Sequence, residues 1–89
     1  MNYFFEDNLK EIIINCGDNV NVDVNKINEE TDLIIDLSYN SINIIQLVVD
    51  VESIFNIEID DEDLLQEKLT PYKSLVKILA KKINIDKTS

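Results

Sequence analysis

Helical periodicity is the feature that most constrains this chain, because three segments repeat apolar residues at spacings of three and four. Residues so spaced share one face of an α-helix, and that face must be buried against another element. In the first segment this face consists of Phe5, Leu9, Ile12 and Cys16. The helix is expected to end near Gly17, since glycine readily adopts the left-handed conformation of a helix stop.

The central segment predicts the best helix, over Ser41–Phe55, with Asn40 or Ser41 accepting amide protons at its first turn. Two apolar stripes run along it. The stripe expected to face the core contains Ile44, Leu47, Val48, Val51 and Phe55. A second one, here called the outer stripe, is rotated by roughly 120° and contains Ile42, Ile45 and Val49. Either a neighbouring helix or loop covers the outer stripe, or it is a contact face for partners.

The last helix is expected to begin with Thr70 as its cap and Pro71 as its first helical residue. Its predicted buried face contains Tyr72, Leu75, Val76, Leu79 and Ile83. A short helix is predicted before it, around residues 61–66.

The stretch over residues 18–40 is predicted to be a long ordered loop. Val20, Val22 and Val24 alternate as they would in a strand, but no second strand of similar quality is available to pair with them. The apolar residues of the loop, including Ile27, Leu33, Ile34 and Leu37, are then expected to cover the core.

Together these segments predict an all-α fold, a bundle of three main helices and one short helix with a long loop between helices one and two. A chain of 89 residues can bury about 60% of the surface that its unfolded form exposes, which is enough for one core. We therefore predict a single domain over residues 1–83 and a frayed tail over residues 84–89.

Charge limits the classes of partner. The chain has 18 acidic and 8 basic residues and a formal net charge of −10, and it has no basic residue between Lys26 and Lys68. Such a charge repels nucleic acid and anionic membranes and attracts basic protein surfaces. No apolar stretch approaches the roughly 20 residues that cross a bilayer, and the N-terminus lacks the pattern of a secretion signal. We expect a cytoplasmic monomer that binds neither nucleic acid nor membranes.

Catalysis is not expected from this composition. The chain has no histidine, no arginine and no glycine-rich phosphate loop, so neither Ser41 nor Cys16 has an evident base to activate it. Cys16 is expected to be a small buried apolar residue. The consecutive acids at 60–63 lack the glycine that a twelve-residue calcium loop requires, so no metal site is predicted.

A motif at the start of the central helix carries the functional prediction. Residues 36–42 read Asp-Leu-Ser-Tyr-Asn-Ser-Ile and resemble the phosphopantetheine attachment region of acyl and peptidyl carrier proteins, whose usual pattern is Asp-Leu-Gly, any residue, Asp-Ser-Leu. Residues 24–27, 31–33 and 57–61 also resemble parts of this family. The resemblance implies a four-helix acyl-carrier-like bundle in which Ser41 is esterified by phosphopantetheine, a group derived from coenzyme A. A plain N-cap serine is the alternative explanation of Ser41.

The resemblance also implies a function and partners. A carrier holds acyl intermediates as thioesters on its prosthetic group. Its implied partners are a phosphopantetheinyl transferase, an acyl- or aminoacyl-loading enzyme, and condensing or tailoring enzymes with basic docking surfaces. The residues expected to contact partners are Asn40, Ile42, Asn43, Ile45, Gln46, Val49 and Asp50.

Departures from the family pattern bear on the pathway. Ser38 replaces the usual glycine. Carriers of fatty-acid synthases usually have acidic residues near the start of the central helix, whereas Asn40, Asn43 and Gln46 are neutral. We interpret the chain as a dedicated carrier for an aminoacyl, peptidyl or polyketide pathway, or else as a fatty-acid carrier. The alternative from another class is an unmodified acidic helical adaptor that binds a basic partner through the central helix.

Overall fold

The fold, seen in a computed structural model, is described here for residues 3–17 and 23–88, with side chains up to residue 83. Its five α-helices within these ranges are α1 (Glu6–Cys16), α2 (Leu33–Leu37), α3 (Ser41–Phe55), α4 (Gln66–Leu69) and α5 (Tyr72–Thr88). Short 3₁₀ turns occur at Val24–Lys26 and Asp61–Asp63. The described residues contain no strand beyond an isolated bridge between Asp32 and Pro71. The predicted all-α class is confirmed.

The three long helices bury the faces that their periodicity predicts. On α1 the four predicted residues are all buried, and this helix packs directly against α3. On α3, Leu47 and Val51 are buried completely, while Val48 and Phe55 pack against the core with partial exposure. The predicted face of α5 is also confirmed, with four residues buried and the fifth packed against the core: Tyr72, Leu75, Val76, Leu79 and Ile83.

The segment before α3 is more structured than the predicted loop. Helix α2 lies within it and begins at Asp32, whose side chain accepts hydrogen bonds from the amides of Ile34 and Ile35 at 2.9 and 3.1 Å. A five-residue helix is too short to show apolar periodicity, so the sequence pattern missed it. The prediction that apolar residues of this segment cover the core is confirmed by the burial of Ile27, Leu33 and Leu37. Val20 and Val22 lie outside the described residues.

The end of α1 corrects one prediction. Gly17 has φ −85° and ψ 163°, which is extended and not left-handed. The need for glycine here comes instead from close packing, because a Cβ at this position would lie 3.1 Å from the Tyr39 ring. The ring of Tyr39 is buried against this end of the helix.

The region between α3 and α5 also differs in detail from its prediction. The short helix α4 follows a 3₁₀ turn and lies at 66–69, a few residues later than predicted. Thr70 does not directly precede α5, which begins at Tyr72, and its hydroxyl donates to the carbonyl of Gln66 at 2.9 Å at the end of α4. Pro71 precedes α5 instead of starting it.

Two backbone hydrogen bonds tie the entry of α2 to the start of α5. The amide of Leu33 donates to the carbonyl of Thr70 at 2.8 Å, and the amide of Tyr72 donates to the carbonyl of Thr31 at 2.9 Å. Thr31 and Thr70 are both buried. The segment that leads into α3 is therefore fixed to the start of α5.

The backbone of α5 is helical to Thr88, while the side chains of residues 84–88 and all of Ser89 lie outside the described part. The frayed tail at 84–89 thus stays a prediction. Among the described residues, no helix combines the length and the apolar character needed to cross a membrane.

Candidate functional site

Ser41 is the first residue of α3 and its side chain is exposed. The chain reaches it through a tight turn at Ser38, which closes α2 in the left-handed conformation with φ 59° and ψ 33°. The amide of Tyr39 donates to the carbonyl of Leu33 at 2.9 Å across this turn. The turn therefore ends one helix and, three residues later, presents Ser41 at the start of the next.

The first turn of α3 is closed by a reciprocal pair of asparagines. The side chain of Asn40 accepts from the amide of Asn43, and the side chain of Asn43 accepts from the amide of Asn40, both at 2.9 Å. Such a capping box satisfies two backbone donors at a helix N-terminus. Within the described chain, the amides of Ser41 and Ile42 have no partner, so they add to the positive end of the helix dipole beside the Ser41 hydroxyl.

A polar network lies beneath this turn, between α1 and α3. The Nδ2 of Asn43 donates to the carbonyl of Cys16 at 2.9 Å, and the thiol of Cys16 donates to Asp50 Oδ2 at 3.1 Å. The other oxygen of Asp50 accepts from Nε2 of Gln46 at 2.9 Å. These contacts use the amide donors of Asn43 and Gln46, which a carboxylate could not provide.

Cys16 is a buried residue, as its position on the apolar face predicts. Burial and the hydrogen bond to Asp50 raise the pKa of its thiol from 9.0 to about 12. Because the thiolate is the reactive form, this side chain is inert near neutral pH. Burial likewise raises the pKa of the neighbouring Tyr39, whose hydroxyl stays protonated and donates to the carbonyl of Ile13.

The outer stripe is uncovered. Ile42, Ile45 and Val49 are 75%, 64% and 53% exposed, so no helix or loop of the described chain covers them. Of the two explanations of this stripe, coverage by a neighbouring element is therefore wrong. Ile35 on α2 is also 80% exposed.

An apolar groove runs from Ser41 between α3 and the segment that contains α4, and the sequence pattern did not predict it. Its volume is about 350 Å³. Its apolar walls are formed by Ile44, Ile45, Val48 and Val49 on one side and Leu64 and Leu69 on the other. Ser41 and Gln66 are the polar residues that line it. We call this space the α3–α4 groove.

Within the described residues, two of the four acids at 60–63 form ion pairs with lysines. Lys82 contacts Asp60 at 2.9 Å, while Lys68 and Lys81 contact Asp63 at 3.5 and 3.3 Å. The hydrogen bond from Lys82 keeps the pKa of Asp60 below its usual value. These ion pairs hold the segment before α4 against α5, and this role accounts for the acids at positions 60 and 63.

The residues predicted to contact partners do not all lie on one surface. Five of them are exposed along α3 and at its start: Asn40, Ile42, Ile45, Gln46 and Val49. Asp50 is half-buried by its contacts with Cys16 and Gln46. Asn43 is only 6% exposed and faces α1, so it is not available to a partner. Its spacing of four from Leu47 and of eight from Val51 places it on the core face, a signal that its polar character obscured.

The chain is similar to known proteins over most of its length. A family model described as "Phosphopantetheine attachment site" matches residues 10–72. The acyl carrier protein of Thermotoga maritima is 36% identical over 67 residues, which cover 75% of this chain and 80% of that protein. The acyl carrier proteins of Petrotoga mobilis and Picosynechococcus sp. are 32% and 34% identical, cover 90% and 92% of this chain, and are themselves covered over 88% and 95% of their lengths.

Proposed function

The chain belongs to the phosphopantetheine-carrying family of acyl carrier proteins, and on that premise we propose that Ser41 is the residue to which the prosthetic group is attached. Phosphopantetheine is covalently bound in this family and supplies a terminal thiol that forms thioesters. Members of the family interact with a phosphopantetheinyl transferase and with acyl-processing enzymes.

The surroundings of Ser41 support this proposal. Its hydroxyl is exposed, so a transferase can reach it, and the unpaired amides of Ser41 and Ile42 lie beside it. A phosphodiester at this place would sit at the positive end of a fifteen-residue helix, where a negative charge is stabilised by about 0.3–1 kcal/mol. The residues present therefore fit the group.

The cargo that the chain fits best is an apolar acyl group. The α3–α4 groove begins at Ser41, has aliphatic walls on both sides, and at about 350 Å³ lies within the range of about 300–1,000 Å³ typical of small-molecule sites. Burial of an aliphatic chain there removes apolar surface from water, whereas a charged aminoacyl group would lose solvation with no partner for its charge. This favours a fatty-acyl or polyketide cargo over an aminoacyl or peptidyl one.

The pathway is proposed from the outer stripe and its neighbours. The exposed surface at the start of α3 consists of the aliphatic outer stripe together with the neutral Asn40 and Gln46. Enzymes that recognise acidic residues at the start of α3 would make few favourable contacts with this surface. We therefore propose a carrier that is dedicated to a particular set of enzymes. The alternative of an unmodified adaptor is not favoured, because it explains neither the attachment motif around Ser41 nor the α3–α4 groove. A cytoplasmic location stays a prediction.

The attachment site is tested by incubation of the purified chain with coenzyme A and a broad-specificity phosphopantetheinyl transferase, followed by intact-mass measurement. The wild type is expected to gain the mass of one phosphopantetheine, and Ser41→Ala is expected to gain none. Ser38→Ala and Ser53→Ala are matched controls, since both serines are exposed, and both variants should be modified. A mass gain in Ser41→Ala would show that another residue carries the group.

A further inference from the structure

The segment that carries Ser41 is held on both sides by side chains that reach α1. The hydroxyl of Tyr39 donates to the carbonyl of Ile13, and Nδ2 of Asn43 donates to the carbonyl of Cys16 at 2.9 Å. Both acceptors lie in the last turn of α1, where carbonyls have no partner within the helix. Ser41 is two residues from each donor. We call these two hydrogen bonds the clip.

We infer that Asn43 is a positioning residue, which through the clip and the capping box sets the place of the Ser41 hydroxyl for modification. The inference rests on the proposed role of Ser41 and names a second residue that this role requires. Asn43 itself touches neither coenzyme A nor the reacting oxygen in this argument, because its side chain is 6% exposed and points toward α1.

Asn43 is suited to this role because it joins two otherwise separate contacts. Its Oδ1 accepts from the amide of Asn40, which precedes Ser41, and its Nδ2 donates to α1. A single side chain therefore links the residue before Ser41 to the end of another helix. Among the described residues, no buried side-chain nitrogen or oxygen lacks a partner, so the link is fully satisfied.

The clip also gives a physical reason for an amide at a position where the family commonly tolerates acids. A carboxylate at position 43 could still accept from the amide of Asn40, but it has no proton for the carbonyl of Cys16. Two acceptors would then face each other in a buried place. An asparagine at position 43 therefore does more than remove a negative charge, because it supplies the N–H donor for the carbonyl of Cys16.

The test is Asn43→Asp, measured against Asn15→Asp as the matched control. Asn15 is exposed and lies in the last turn of α1, so its substitution adds the same charge near the same end of the bundle and leaves the clip intact. At pH 7.5 we expect exchange of the hydrogen-bonded amides of Asn40, residue 43 and Ile44 to become about tenfold faster in Asn43→Asp, the effect of losing one hydrogen bond of ordinary strength. Phosphopantetheine transfer should slow by roughly tenfold, since small displacements of a reacting group have large effects on rate.

The pH profile separates positioning from general loss of structure. As the pH falls toward about 4, the ordinary pKa of an aspartate, a growing fraction of the introduced carboxyl should be protonated and can again donate to the carbonyl of Cys16. The titratable groups that face this contact are Cys16 on α1, Tyr39 before α3 and Asp50 on α3, and the thiol and the phenol stay protonated over this range. The transfer rate of Asn43→Asp relative to wild type should therefore recover as the pH falls, whereas the relative rate of Asn15→Asp should stay level.

Tyr39→Phe removes the other hydrogen bond of the clip, from the Tyr39 hydroxyl to the carbonyl of Ile13, and introduces no charge. It keeps the inference testable if Asn43→Asp does not fold. It should slow transfer at every pH, with helical content retained by circular dichroism. Equal exchange and transfer in Asn43→Asp and Asn15→Asp would overturn the inference, as would faster exchange with an unchanged transfer rate. Failure of the wild type to be modified at all would instead overturn the role of Ser41, which the exchange data do not depend on.

Discussion

Ser38 adopts a backbone conformation that is unfavourable for serine. Its φ of 59° lies in the left-handed region, which costs an L-residue other than glycine, asparagine or aspartate about 1–2 kcal/mol. The carrier family usually has glycine at this position, because glycine adopts the left-handed conformation without strain. Here the same kind of turn is formed by a serine. The turn is maintained because the amide of Tyr39 bonds the carbonyl of Leu33 and the Tyr39 ring is buried beyond it.

Ser38→Gly is therefore expected to stabilise the fold. The removal of left-handed strain should exceed the entropy that glycine loses on folding, for a net gain of about 0.5–1 kcal/mol in the free energy of unfolding. Urea denaturation provides the measurement through the shift of its midpoint at constant slope. Ser38→Ala is the control, since alanine retains the strain. If the two variants unfolded at the same urea concentration, the left-handed turn would not be the source of the effect.

At the scale of a helix, α3 is unusual because it has apolar residues on two sides and buries only one. Val51 and Val49 are the same residue type on the same helix, yet the first is 0% exposed and the second 53%. The buried face stabilises the bundle, whereas the exposed face leaves aliphatic surface in water. An exposed apolar face of this kind is typical of a contact surface.

Alanine substitution at matched positions is expected to separate the two faces of α3. Leu47→Ala should lower the free energy of unfolding by about 2–4 kcal/mol, and Val51→Ala by somewhat less because it deletes fewer atoms. Ile45→Ala and Val49→Ala should each change it by no more than about 0.5 kcal/mol, as surface substitutions do. Denaturant unfolding of the four variants decides this, and equal losses at Val49 and Val51 would mean that both faces are buried.

How far elements can be predicted from sequence depends on their length. Helices α1, α3 and α5 each repeat the apolar period several times, and their buried faces were predicted from it. Helix α2 spans five residues, which is little more than one turn, and its formation depends on the cap at Asp32 and on the backbone bonds to Thr70 and Thr31. The cap is a local contact, whereas the two backbone bonds join segments that are distant in sequence, and apolar periodicity indicates neither of them.

The residue types of the candidate site can be predicted from the sequence, but the groove beside Ser41 cannot. The motif around Ser41 can be recognised in the sequence because it depends on residue types at fixed spacing. The α3–α4 groove depends on how close α4 comes to α3, which the spacing of residues along one helix does not determine. Asn43 shares the core-facing spacing of Leu47 and Val51, but this spacing does not show the partner that a buried amide requires, which is the carbonyl of Cys16.

On the scale of the whole molecule, the net charge of −10 is distributed differently from what the sequence suggests. Asp50 accepts hydrogen bonds from Cys16 and Gln46, and Glu52 accepts from the amide of Ile59 at 2.9 Å. Asp60 and Asp63 form ion pairs with lysines of α5. These four carboxylates thus have structural partners within the fold. The surface at the start of α3 is left aliphatic and neutral.

This distribution predicts poor transfer by an enzyme that recognises fatty-acid carriers through basic side chains. A malonyl transferase of that kind should load the phosphopantetheinylated wild type slowly, and the double variant Asn40→Asp, Gln46→Glu should be loaded faster at low ionic strength. Both positions are exposed, and an aspartate at position 40 can still accept from the amide of Asn43. Gln46→Glu removes the exposed hydrogen bond to Asp50 and places a second carboxylate beside it. Rim charges mainly alter the association rate. The gain should therefore disappear near 1 M salt, where the screening length falls to about 3 Å.

The control for this prediction is Asn8→Asp, Asn15→Asp, which adds the same two charges at exposed positions of α1. If recognition depends on charge at the start of α3, only the first double variant gains, because a charge elsewhere does not meet the basic residues of the docked enzyme. Loading rates are measured for the three proteins at low and high salt with the same transferase. An equal gain in both variants would indicate long-range steering by net charge. A wild-type rate equal to that of a fatty-acid carrier would show that aliphatic contacts by the outer stripe suffice, and the proposal of a dedicated carrier would then fail.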